Sequence, residues 1–198
     1  MEWNDHSKLR ELHSFMSPSQ GSWLDDNDEE FLARYSNYRA KERGTELHAW
    51  AAQTIDICIE EGLKLQNNKS TLAMYINDAI GFGMRTEQPL YYSENCFGTA
   101  DAISFLESKK ILRIHDLKTG KTPAKMRQLY IYAALFCLEY GFKPSTLKIE
   151  TRIYQNDSIM VDRPTTDIIL PIMDNIVHKD KLINGYSVGG IEQWVKMN

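Results

Sequence analysis

Cysteine is scarce: Cys58, Cys96 and Cys137 are the only three in 198 residues, and none stands at metal-ligand spacing from another. Three isolated thiols make no four-cysteine zinc or iron–sulfur site, and no disulfide framework is expected of them in a reducing compartment. Long apolar runs are missing too. Nothing approaches the ~20 residues of a membrane span, and the opening MEWNDHSKLRELHSF lacks a signal peptide's apolar core. The chain reads as soluble and cytoplasmic, with no membrane partner. Positive charge is not in excess, with 23 Lys+Arg against 27 Asp+Glu and a net charge of −4. This balance argues against a protein that coats nucleic acid nonspecifically, so any nucleic-acid chemistry must concentrate its basic residues locally. A P-loop is absent as well. Thr119-Gly-Lys-Thr122 imitates its end, but the required first glycine falls at His115.

With 42% hydrophobic and 25% charged residues, the chain has the composition of a globular protein. No internal repeat or low-complexity linker divides it, so one α/β domain over 1–198 is expected. Residues 1–85 read as mainly helical, 86–155 as a sheet with a helix, and 156–198 as a C-terminal helix and tail. A short helix is possible at Ser7–Phe15. An acidic cluster at Asp25–Glu30 suits a helix N-terminus, with helical pattern to about residue 41. A separate helix is expected from Gly44 to about Leu65, with Leu47, Ala51, Ile55 and Cys58 as one stripe and His48, Ala52, Ile55 and Ile59 beside it.

Thr71–Phe82 reads as another helix and Pro89–Ser93 as a first strand. Thr122-Pro123 carries the signature of a helix start, and Gly141 that of its stop. Leu147–Tyr154 alternates like a strand. Thr165–His178 reads as a last helix, interrupted early by Pro171. Cys58 and Cys137 fall in apolar helical stretches and read as small buried hydrophobes.

The chemistry concentrates in Gly98-Thr-Ala-Asp101 and Asp116-Leu-Lys118. Residues 98–106 and 111–118 look like strands flanking the polar turn Glu107-Ser108-Lys109-Lys110. If Ser108-Lys109 is a two-residue loop, opposed residues have numbers summing to 217. Ile103 then faces Ile114, Phe105 faces Leu112, and Asp101 faces Asp116. Alternation puts these pairs on one face, apolar at the turn and charged at the far end, with Lys118 beside Asp116. Two carboxylates about 5 Å apart can share a divalent cation. As ordinary surface charges they would sit oddly on a face marked as buried, where like charges repel unless a cation neutralises them. Lys118, Lys121, Lys125 and Arg127 fall in an acid-free stretch bordering this site.

GTAD followed by DLK, then a helix carrying Gln128-Leu-Tyr-Ile-Tyr132, resembles the PD-(D/E)XK nuclease superfamily. The likeness is strongest to its RecB-like branch, which includes phage exonucleases. Gly44-Thr-Glu-Leu-His48 resembles the histidine motif that this branch carries upstream. The ordered set spans residues 44–132. The resemblance implies a restriction-endonuclease-like mixed sheet flanked by helices, with a helical N-terminal portion.

It further implies Mg²⁺ or Mn²⁺ as cofactor; some members of this branch bind an iron–sulfur cluster through four cysteines, and with only three, widely separated, no such cluster is expected here. His48, Asp101, Asp116 and the Leu117 carbonyl are the implied metal ligands. An imidazole among them favours Mn²⁺. Asp116 stands where many members have Glu, one methylene longer. Lys118 is expected beside the attacking water or the scissile phosphate, stabilising developing negative charge. Gln128 and Tyr132, at i and i+4, share a helix face and are expected to contact phosphate or hold Lys118; Tyr130 is expected to pack. Glu87 is a further acidic candidate. The implied function is metal-dependent hydrolysis of DNA, most simply as an exonuclease of phage-type recombination or repair, in the host cytoplasm if phage-encoded. A recombination or single-strand-binding protein is the implied partner. A structure-specific endonuclease or nickase, and a catalytically silent nucleic-acid-binding protein, stay open as alternatives.

Overall fold

The computed structural model describes residues 15–16, 25–66 and 68–197, with 185–197 as backbone only. The helix expected at Ser7–Phe15 lies, but for its last residue, outside the described residues. The chain divides into two compact units, Met1–Glu46 and Leu47–Asn198, the division falling inside helix α1 (Asp28–Glu61). In the first unit Asn27 and Glu30 form a capping box. Asn27 Oδ1 accepts from the backbone N–H of Glu29 and Glu30 at 3.0 Å, while Glu30 accepts from the Asn27 N–H at 3.1 Å. The two helices expected on either side of residues 42–43 are one. A single mid-helix glycine, Gly44, costs about 1 kcal/mol relative to alanine and does not interrupt 34 residues. The helix stops four residues earlier than expected, at Gly62, whose φ is +67°.

The second unit holds the whole sheet: β1 (Arg85–Ser93), β2 (Cys96–Leu106), β3 (Ile111–Leu117), β4 (Lys148–Gln155) and β5 (Ser158–Asp162). They pair in that order, antiparallel except for β3 with β4, so the α/β sheet is mixed. Pro89, which has no N–H to give a ladder, sits in the edge strand β1. The β2–β3 register is the expected one, with Ile103 opposite Ile114 and Phe105 opposite Leu112. The connection differs: Glu107–Lys109 form a 3-10 turn and Lys110 adopts a left-handed φ of +52°. All four turn residues are used rather than two, without changing the register.

Neighbouring strand positions point to opposite layers. Ile103, Leu112, Ile114 and Ile153 pack under α3 (Arg127–Tyr140) and the first turns of α4 (Thr166–Met197). Ala102, Leu117 and Tyr154 pack with Ala51 and Ile55 of α1 and with Tyr75, Ile76 and Ala79 of α2 (Thr71–Gly81). Cys58 and Cys137 are buried.

Three expectations are corrected. The helix signature at Thr122-Pro123 is overridden, and α3 begins at Arg127. The Gln155 side chain satisfies the loop instead, donating to the Gly120 and Thr122 carbonyls and accepting from the Ala124 N–H. Second, a fifth strand occupies part of the stretch read as helix and tail. Asn156 and Asp157, at φ +51° and +53°, form the two-residue turn that joins β4 to β5. Third, α4 runs through Pro171 to Met197, where a helix ending at His178 was expected. A proline near a helix start removes one hydrogen bond, which need not end the helix. Among the described residues no helix is long and apolar enough to cross a membrane.

Candidate metal centre

A break in strand alternation builds the site. Ala100 packs in the α3 layer and Ala102 in the α1–α2 layer, so the parity of β2 inverts at the residue between them, Asp101. Opposite this point β1 is irregular too. The ladder pairs Thr86 with Ala102 and Gln88 with Ala100, and between them Glu87 takes a left-handed φ of +45°, strained backbone for a non-glycine residue. Simple alternation from Ile103 would aim Asp101 at α3. The inversion turns it toward α1, where its Oδ2 lies 3.2 Å from His48 Nδ1 and accepts the Leu117 N–H at 3.0 Å.

His48, Glu87 and Asp101 each offer a ligand atom, all within 4.8 Å of one another. The bond to Asp101 holds the His48 imidazolium above its usual range despite partial burial. Burial and then the Asp101 charge push Glu87 upward. These directions describe polar donors crowded together.

Asp116 comes from β3 and is 2% exposed. Its Oδ1 accepts from Lys118 Nζ at 2.9 Å, while its buried Oδ2 has no hydrogen-bond partner. Burial, then the Asp101 charge, push its pKa up to about 6 against the pull of Lys118 and His48. A buried carboxylate oxygen without a donor is costly unless something positive meets it. One imidazole nitrogen and hard carboxylate oxygens suit Mn²⁺ or Mg²⁺. The donor set and the orphaned oxygen therefore fit a divalent cation.

Helix α3 supplies the other side. Lys118 Nζ donates to Gln128 Oε1 at 3.0 Å, so of the two expected roles for Gln128 the structure displays the one of holding Lys118. Four residues on, the Tyr132 hydroxyl donates to the Thr99 carbonyl at 2.5 Å. Its ring lies over Gly98, where an added Cβ would sit 3.2 Å from a ring carbon. Gly98 is thus the residue that lets α3 clasp β2 beside Asp101. Tyr130 packs at the edge of the α3 core layer, and its hydroxyl donates to Asp162. Lys121 and Lys125 are exposed along the loop that leads from Lys118 into α3, and Arg127, also exposed, opens the helix.

His115 drew no role from the sequence beyond excluding a P-loop, and it is fully buried on the sheet face opposite Asp116. Its Nδ1 lies 3.2 Å from the Tyr154 hydroxyl, which donates to Asp78 at 2.6 Å. Burial, then Arg152 and Arg113, push its pKa down to about 3, so it is a neutral packing residue. No protein-family model, curated protein or solved structure matches this chain.

Proposed function

We propose that this chain is a metal-dependent DNA nuclease on a restriction-endonuclease-like fold, acting as an exonuclease. The observation that carries the reading is the buried, unpartnered oxygen of Asp116. It belongs to a carboxylate ion-paired to Lys118 and electrostatically coupled to the His48–Glu87–Asp101 cluster. Core packing asks for none of these groups. The ordered GTELH, GTAD, DLK and Gln128–Tyr132 motifs support the same reading by resemblance, as does the mixed sheet flanked by helices.

His48, Glu87, Asp101 and Asp116, with the Leu117 carbonyl implied by the resemblance, would hold Mg²⁺ or Mn²⁺. Such an ion supplies Lewis-acid polarisation of the phosphate and a lowered pKa for bound water. The chain's own contribution is electrostatic and positional. Lys118, fixed between Asp116 and Gln128, presents a positive charge where negative charge builds on the phosphate oxygens. The Asp101 carboxylate, bonded to the Leu117 N–H, ties β2 to β3 so that the two acidic positions move together. Tyr132 locks the same segment of β2 to α3.

End-labelled linear DNA, incubated with Mn²⁺ or Mg²⁺ beside covalently closed circles, tests the proposal. Loss of linear DNA with survival of circles is expected. Cleaved circles would make the enzyme an endonuclease, and binding without cleavage would move a silent binding role to first place.

A further inference from the structure

The inversion at Asp101 has a second result on the outer face of the β1–β2 ribbon. Before it, Cys96, Gly98 and Ala100 face the α3 layer, so Phe97, Thr99 and Asp101 face the other way. Their cross-strand partners follow the same parity. Tyr91 stands opposite Phe97, and Pro89 opposite Thr99. Glu87 lies between the pairs that bracket Asp101. Three successive rungs therefore share one face: Glu87 with Asp101, Pro89 with Thr99, and Tyr91 with Phe97. Of these six residues only Asp101 is not exposed. At about 3.3 Å per residue, the aromatic rung lies about 13 Å along the strand from Asp101.

The aromatic rung is open and ordered. Phe97 is 66% and Tyr91 45% exposed, and Phe97 is the most exposed large hydrophobic side chain among the described residues. Their rings are nearly parallel, with centroids 6.3 Å apart and planes 25° apart. Tyr91 is fixed at both ends: its N–H donates to Glu139 at 2.9 Å and its hydroxyl to Glu94 at 3.1 Å. A cross-strand aromatic pair steadies a hairpin, yet that role needs no exposure. Phe105 and Phe136 of the same unit meet their aromatic neighbours inside the core layer. Rigid aromatic faces left to solvent in line with a phosphate-cleaving site are suited to stacking on unpaired bases, which every nucleotide offers.

We propose that this ribbon face is the track of a single DNA strand, with a base stacked on Phe97 and Tyr91 while the backbone passes Asp101. The proposal deepens the nuclease reading and rests on it for the position of the scissile phosphate. At the ~3.4 Å rise of stacked nucleotides, the stacked base is at most about four nucleotides from the cleaved bond. Paired bases inside a duplex are stacked on both faces and offer none to this rung, so single-stranded DNA is the favoured substrate.

The test uses the full chain in two readouts. In metal-free buffer at low salt, anisotropy of a labelled single-stranded oligonucleotide gives Kd for the native protein, Phe97→Ala and Phe97→Trp. The expected result is a roughly five- to fiftyfold weakening in Phe97→Ala, restored by Phe97→Trp. With Mn²⁺, KM should rise by a similar factor in Phe97→Ala while kcat stays within about twofold. One abasic site within about four nucleotides of the cleaved bond should impair the native protein and add nothing in Phe97→Ala. Equal Kd for native and Phe97→Ala, or equal abasic sensitivity, overturns the track. So does loss of binding that Phe97→Trp fails to restore, since that marks a hairpin role alone. Should the native protein cut no DNA while Phe97→Ala still weakens strand binding, the track stands and the nuclease reading falls.

Discussion

Lys118 and Gln128 meet at 3.0 Å, Nζ donating to Oε1, so that a strand-end lysine is held from the helix that follows it. The same ammonium donates to Asp116 at 2.9 Å. It is thus oriented by two groups before any substrate arrives. Gln128 is exposed, and its side chain also hydrogen-bonds Tyr132 four residues on. Gln128→Ala should therefore fold with stability within ~0.5 kcal/mol of native. Lys118 freed from one holder should lower kcat by about ten- to a hundredfold, because misplacement of a charged group by about 1 Å costs on that order. Single-turnover hydrolysis beside a urea melt checks both halves. A native kcat would show that Asp116 alone positions the lysine.

Gly98 and Tyr132 give a stability prediction. In Gly98→Ala the new methyl would sit 3.2 Å from the Tyr132 ring, whose hydroxyl is bound to the Thr99 carbonyl. The ring cannot retreat without stretching that bond, so a loss of about 1–3 kcal/mol is expected. In Tyr132→Ala the ring that the methyl would meet at 3.2 Å is gone, and adding Gly98→Ala should then cost little. A double-mutant cycle by chemical denaturation measures the coupling. Additive effects would mean that the clasp between α3 and β2 is not what glycine serves.

His115 gives a pH prediction. Its folded pKa is depressed from 6.5 to about 3, first by burial and then by Arg152 and Arg113. Between those values the unfolded chain binds a proton that the folded chain does not, so stability falls as pH drops below about 6.5 and the loss ends near 3. His115→Leu should remove roughly one proton from the pH slope of unfolding in this window. Denaturant midpoints from pH 7 to pH 4 read it out, and an unchanged slope would contradict neutral burial.

Metal should stabilise the fold. A cation held only by the folded chain adds about 2.7 kcal/mol at a hundredfold excess over its Kd. Mn²⁺ is expected to raise Tm for the native protein and not for Asp101→Ala, while Glu87→Gln should retain part of the shift. A rise in Asp101→Ala equal to the native one would place the bound ion elsewhere.

What the sequence made legible was local. Alternation and a polar turn located the β2–β3 register, and glycine located the end of α3. Asn156-Asp157, between the strand residues of β4 and β5, is a hairpin signal of the same local kind. Other features depended on distant partners. The α3 start moved because Gln155, about thirty residues away, satisfies the loop before it. The site residues on β2, β3 and α3 were readable as types and spacings, but their grouping was not. Strict alternation placed Asp101 and Asp116 on one face. The parity inversion at Asp101, opposite a left-handed Glu87, instead brings Asp101 to His48. Period-two patterning carries no mark of such a break, because the inversion replaces no residue and only changes which face the positions before it present.

The most direct test is single-turnover hydrolysis of a 5′-labelled single-stranded oligonucleotide by native, Asp116→Ala and Lys118→Ala proteins, with Mn²⁺ and with EDTA. The account predicts cleavage by the native protein with Mn²⁺ and none with EDTA. It predicts a fall of about a hundred- to a thousandfold in both variants, the size of loss seen when a transition-state charge stabiliser is removed. Native-rate cleavage by either variant, or cleavage in EDTA, would contradict it.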